Sequence, residues 1–136
     1  MTLVLLMVAA AVGAPLRYVV DQAVQHRWPG AFPAGTLTVN LSGGFLLGLL
    51  TGVAAHHGLA PAVVTVLGTG LLGAYTTFST FSYETVRLLE DGAVAEATLS
   101  VAGGLVTIGL LISGVLRPLP VASEEHVPVT RRLADR

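Results

Sequence analysis

Polar and apolar positions along this chain divide it into four long apolar runs: Thr2 to about Val20, with Arg17 near its end, Ala34–Ala55, Gly58–Tyr83 and Ala97–Leu116. A helix crosses the hydrocarbon core of a bilayer with about 20 residues. The pattern therefore predicts four transmembrane helices. Their connections, Asp21–Pro33, His56–Gly58 and Glu84–Glu96, leave no room for a soluble domain. After residue 116 the pattern changes. Residues 117–136 are polar, with Pro118, Pro120, Pro128 and charges of both signs. That composition predicts a disordered tail, or one held loosely at the membrane surface. The expected organisation is an all-α membrane domain over residues 1–116 followed by this tail.

The third run is unlike an ordinary lipid-facing helix. It lies within 26 uncharged residues, and from Gly73 to Ser82 it gathers five Ser and Thr hydroxyls around Phe78 and Phe81. Gly68, Gly70 and Gly73 come just before. Glycine weakens a helix, and Ser and Thr offer the backbone other hydrogen bonds. A break is expected near Gly73–Thr77, with a kinked but continuous helix as the plainer alternative. Carbonyls freed at membrane depth are tolerated only when buried in protein or lining a cavity. Such carbonyls are hard oxygen ligands and can hold a cation such as Na+. Phe78 and Phe81, three residues apart, share one helical face. They can be core, or they can offer the electropositive edges of their rings to an anion. Ser79 and Thr80 point elsewhere around the helix and can donate O–H groups.

Small residues recur at helical spacing in the other runs. Thr36, Asn40, Gly44, Gly48 and Gly52 form one stripe on the second helix. Ala9, Gly13 and Arg17 share a face of the first. The fourth pairs Ser100 with Gly104, Gly103 with Thr107, and Gly109 with Ser113. Such stripes let helix backbones approach closely in lipid. Asn40 stands apart because a buried amide requires partners: it can tie helices together or contact a ligand. Four thin helices enclose little lumen. A pore is more plausible between two bundles than within one, which points to a two-fold dimer.

Composition agrees with the pattern. The chain is 53% hydrophobic and 11% charged, with mean hydropathy +0.77, where soluble domains carry about 25% charged residues. With no cysteine and a net charge of −1, neither thiol chemistry nor nucleic-acid binding is expected. The His residues fall in loops or the tail, and no embedded Ser/His/Asp set or paired carboxylates suggests an enzyme. The apolar N-terminus lacks the basic start of a signal peptide and is taken as a retained helix. Arg17 near the end of the first helix can snorkel to water, or it can draw anions into a vestibule. Trp28 suits an interfacial anchor, and Glu84, Arg87, Glu90 and Asp91 an interfacial position. Arginines near the helix ends are too few to fix an orientation, so dual insertion is allowed.

Several of these residues coincide with a known pattern. The segments Gly13–Tyr18, Pro33–Asn40 with Gly43, and Gly70–Phe81 with its Thr-Thr-Phe-Ser-Thr-Phe core resemble the Fluc/CrcB family of fluoride channels. The resemblance spans about Gly13 to Leu116. It implies a bacterial inner-membrane channel made of two antiparallel copies, or of one copy and a sister subunit, with two fluoride pathways near their interface. It further implies that Asn40 faces fluoride, that Phe78 and Phe81 offer ring edges, and that Ser79 and Thr80 belong to the polar lining. The carbonyls of Gly73 and Thr76 from both subunits would hold a structural Na+. Arg17 matches the family's arginine at the end of the first helix. Ser100 matches a pathway serine, although Glu96 then stands where many members have Tyr.

The function expected is passive, selective export of cytoplasmic fluoride. Two rivals are a proton-coupled exporter of the small multidrug type and a non-conducting assembly subunit. The exporter requires an embedded acid, and none is expected within the runs before Glu84.

Overall fold

The computed structural model describes residues 1–115, and the polar tail lies outside the described residues. These residues form helices only: α1 (Thr2–Arg27), α2 (Ala34–His57), α3 (Pro61–Val64), a π-helical segment (Thr65–Leu72), α4 (Gly73–Tyr75), α5 (Phe78–Glu90) and α6 (Val94–Val115). Among the described residues, three stretches are long and apolar enough to cross a membrane: Thr2–Arg27, Ala34–His57 and Pro61–Glu90. The apolar α6 follows them.

Several helices outlast the apolar runs. α1 continues seven residues past Val20, so Asp21 and Gln25 are helical rather than in a loop. The third stretch likewise runs through Glu84 to Glu90. Leaving the hydrocarbon removes the need for apolar side chains, yet nothing there breaks the backbone ladder. α1 stops only where Trp28-Pro29-Gly30 supplies residues that cannot continue it. Two other ends use glycine in the left-handed region, Gly58 (φ 63°) after α2 and Gly92 (φ 75°) between α5 and α6. At the second, Ala93 N–H donates to Leu88 O at 2.8 Å and closes the end of α5.

α2 packs against α6 and α1, while α1 lies along the π-helical segment. The expected glycine faces do this work in part. Beside Gly70, a Cβ would stand 2.9 Å from the Leu6 carbonyl and 3.1 Å from Ala9 Cβ; at Gly13 it would collide with the Leu71 carbonyl. At Gly44 it would meet Thr107 of α6 at 2.8 Å, whereas Gly52 faces open space. The buried core is small, with Val39, Leu72, Tyr75, Leu88 and Ala97 its apolar members among the described residues. Many large apolar side chains, among them Leu3, Val8 and Leu105, are exposed, as suits a surface solvated by lipid. Close packing rather than the hydrophobic effect then holds such helices together.

Candidate functional site

The third stretch is broken, at the C-terminal end of the expected window. Thr76 (φ −79°, ψ 160°) and Thr77 (φ −148°, ψ 119°) are extended between α4 and α5. The glycines upstream do not interrupt the helix. Gly68 and Gly70 lie in the π-helical segment, where backbone bonds skip one residue further. The break itself is built from hydroxyls. Thr76 N–H and Thr76 Oγ1 both donate to Leu72 O, at 2.9 and 3.0 Å. Thr77 caps α5: its Oγ1 accepts from Thr80 N–H at 3.3 Å and lies 2.9 Å from Thr80 Oγ1 and 3.4 Å from Ser79 Oγ.

α2 holds this break from the side. Thr77 N–H donates to Asn40 Oδ1 at 2.8 Å, and Asn40 Nδ2 donates to Thr77 O at 2.8 Å. Those partners fix the orientation of the amide, since the N–H only donates and the carbonyl only accepts. In a continuous helix Thr77 N–H would bond Gly73 O. Asn40 takes that donor and so releases the Gly73 carbonyl from the ladder. Two residues on, Ser42 Oγ lies 2.9 Å from the hydroxyl of buried Tyr75. Gly43 lets the Thr76 methyl and the Tyr75 ring lie directly against α2.

Two concavities flank Thr77, which is only 8% exposed. A groove of about 320 Å³ is lined by Asn40, Thr76, Thr77, Phe78, Phe81 and Gly104 with neighbouring apolar residues of α2 and α6. A smaller space of about 160 Å³ is lined by Arg17, Tyr18, Asp21, Thr36, Thr77 and Thr80 with Val39. Asn40 spends one Nδ2 hydrogen on Thr77 O and retains a second. The Phe78 and Phe81 rings stand 5.9 Å apart at 41°. Phe78 is 77% exposed, while Phe81 is half-buried against α6.

The structure thus gathers Asn40, Thr76, Phe78 and Phe81 in one groove, and Arg17 and Thr80 in the space on the other side of Thr77. Ser79 is exposed beside Thr77. Gly73 lies exposed one turn before the break. Ser100 is apart from both concavities. It is 1% exposed, with its hydroxyl 3.2 Å from Thr85 Oγ1 between α5 and α6. No group of three or more His, Asp and Glu that could hold a metal occurs among the described residues.

Some features were not anticipated from the sequence. Thr77 organises the whole break, and the Thr77-to-Thr80 spacing of a helix cap was the signal for it. Glu84, at the end of the third run, is half-buried within the protein, and its Oε2 is enclosed without a hydrogen-bond partner. The contact of Gly104 with Phe81 has no sequence signature beyond a small residue.

Comparison with known proteins places this geometry. Residues 4–115 match the family described as CrcB-like protein, Camphor Resistance (CrcB). The chain is 50% identical over 119 residues to the Fluoride-specific ion channel FluC 1 of Streptomyces avermitilis, a match covering 85% of this chain and 94% of that protein. It is 52% identical over 112 residues to the Fluoride-specific ion channel FluC 1 of Frankia casuarinae, over 78% of this chain and 86% of that one. With the Fluoride-specific ion channel FluC 2 of Moorella thermoacetica it shares 49% over 111 residues, 76% and 89% of the two chains. A match this long runs through α1, α2, the broken stretch and α6 alike, and the chain belongs to the CrcB-like protein family.

Proposed function

We propose that the protein is a fluoride-selective channel that lets cytoplasmic F− leave a bacterial cell passively across the inner membrane. The observation that carries this proposal is the double hydrogen bond between Asn40 and Thr77 beside Phe78 and Phe81. It fixes a neutral amide donor, the hydroxyls of the break and two aromatic rings along one groove. Fluoride is small and strongly hydrated, so a pathway must replace its water with many donors. The spare Asn40 N–H and the ring edges supply positive dipole ends in the groove, and Ser79 and Thr80 add hydroxyls around Thr77, without a deep trap. Conduction requires favourable entry together with weak, multi-site binding. Arg17 raises the local anion concentration in its vestibule.

Two copies packed antiparallel complete the assembly, or one copy with a sister subunit. The groove is open on one side, and Phe78 and Gly73 lie exposed on the break, where a second chain can cover them. α6 then crosses the bilayer as the fourth span. The residues present suit a structural Na+ between the copies. The Gly73 carbonyl has lost its helical donor to Asn40, and with the Thr76 carbonyl from both chains it provides hard oxygen ligands. The ion would supply positive charge that joins two breaks. Lipid surrounds the outer faces. Ser100 is assigned to this pathway only by the family pattern.

Purified protein in liposomes tests the proposal. Fluoride is expected to leave far faster than chloride. Equal flux of both ions, or none, would sink it. Two observations favour the exporter alternative: Glu84 Oε2 is enclosed without a partner, and Asp21 is helical rather than in a loop. Proton-driven uptake of a cationic drug in the same liposomes, without fluoride flux, would establish that alternative.

A further inference from the structure

Gly104 lies on α6, four residues after Ser100, where a row of small residues at helical spacing would ordinarily serve backbone packing. Its surroundings differ from those of the packing glycines. At Gly70 the nearest atom to an added Cβ is the backbone carbonyl of Leu6, 2.9 Å away. At Gly104 all three nearest atoms belong to the outer edge of one ring: Phe81 Cζ at 2.9 Å, Cε2 at 3.2 Å and Cε1 at 3.6 Å. A backbone cannot retreat from a methyl group, but a ring can swing about its side-chain torsions. The same added methyl would therefore break the fold at Gly70 and move only an aromatic edge at Gly104. That edge lines the groove and stands 5.9 Å from the Phe78 ring centre to centre.

We infer that Gly104 is a specificity-determining positioning residue: the missing side chain lets the Phe81 ring edge stand where it does, and so sets the fit of the groove to a small anion. The inference rests on the channel function proposed above. It assigns Gly104 no contact with the ion; its action passes through Phe81. Gly109, on the same helix with nothing within 4 Å of an added Cβ, provides the control.

The test uses full-length protein labelled with 4-fluorophenylalanine, whose fluorine sits on Cζ. The chain has four Phe, and Phe81→Leu assigns the resonance of interest. Gly104→Ala is expected to shift the Phe81 resonance and to lower the fluoride-to-chloride flux ratio in liposomes at least tenfold. Gly109→Ala should change neither. In a Phe81→Leu background, Gly104→Ala should have little further effect, because the ring it displaces is gone. An unmoved Phe81 resonance, an unchanged flux ratio in a conducting protein, or an equal loss in both backgrounds would overturn the inference. If Gly104→Ala does not fold, Gly104→Ala/Phe81→Leu should; failure of both would make Gly104 a packing residue. A wild type that carries no fluoride while the resonance still shifts would remove the channel proposal and, with it, the role in specificity.

Discussion

Asn40 in α2 and Thr77, 37 residues later, are joined by two hydrogen bonds of 2.8 Å, one in each direction. The pair does for the break what a strand partner does for a strand: it satisfies N–H and C=O of an extended residue that no helix serves. Asn40→Ala leaves both groups of a nearly buried residue unpaired, at about 1–3 kcal/mol for each. Thermal unfolding in detergent should show the loss. Asn40→Asp still accepts from Thr77 N–H, but it turns a second acceptor toward the Thr77 carbonyl and places negative charge in the groove. Fluoride flux should fall further in Asn40→Asp than in Asn40→Ala, and equal losses would argue that Asn40 acts on stability alone.

Phe78 and Phe81 divide structural from functional roles. Phe78 is 77% exposed in the single chain, so Phe78→Ile costs its fold little. It removes a ring edge and should lower fluoride flux at least tenfold. Phe81→Ile removes an edge as well, and it also leaves a gap over Gly104, so both flux and melting temperature should drop. A non-conducting assembly subunit would show changes in stability only.

Much of this site was legible in the sequence, for identifiable reasons. The glycines and hydroxyls from Gly68 to Ser82 announced a weak helix, and the small-residue stripe marked Asn40 as facing protein. The break was expected within Gly73–Thr77, but which residues of that window it takes was not legible. It falls at Thr76–Thr77 because Asn40 supplies a rival partner for one particular N–H, and that partner comes from a different helix. The glycines before it do not break the chain: Gly68 and Gly70 lie in the π-helical segment and Gly73 opens α4. Helix ends at Arg27 and Glu90 were missed because hydropathy reports the edge of the hydrocarbon, not the end of the hydrogen-bond ladder. The seat of Ser100 against Thr85 depends on how α5 and α6 rotate toward each other, which one helix's spacing does not reveal.

Tyr75 anchors the last helical turn before the break through its hydroxyl, 2.9 Å from Ser42 Oγ. Ser42 Oγ also donates to Thr38 O at 2.7 Å, so it keeps a partner if the phenol is removed. Tyr75→Phe should therefore cost only about 1 kcal/mol, the net value of one hydrogen bond. The ring remains packed against Gly43, and fluoride flux per folded protein should stay within about twofold of wild type. Calorimetry or chemical denaturation, paired with the liposome assay, checks both halves.

Arg17 shares its cavity with Asp21, Thr36 and Thr80 and lies one helical turn before Asp21. As a charge that concentrates anions at a mouth, it acts over a distance that salt screens, with a Debye length of about 10 Å at 0.1 M and 30 Å at 0.01 M. Arg17→Gln should slow fluoride flux most at low ionic strength, and the gap from wild type should narrow as an impermeant salt is added. A salt-independent loss would instead mean that Arg17 holds an ion, or the α1 face, by direct contact.

Sodium offers the sharpest test of the paired assembly. Within one chain, Asn40 draws Thr77 N–H away from the Gly73 carbonyl, so that oxygen is without its helical donor. A single chain offers the ion only its own carbonyls at the break, so a central site needs both copies. Replacing Na+ with a large organic cation should then weaken subunit pairing as well as flux. An ion held at 100 times its dissociation constant stabilises the bound state by about 2.7 kcal/mol, enough to shift a dimer equilibrium in detergent measurably. Asn40→Ala removes the side chain that holds Thr77 in the break and should blunt the response to sodium. Pairing that is indifferent to Na+ in the wild type would show that packing alone joins the two copies.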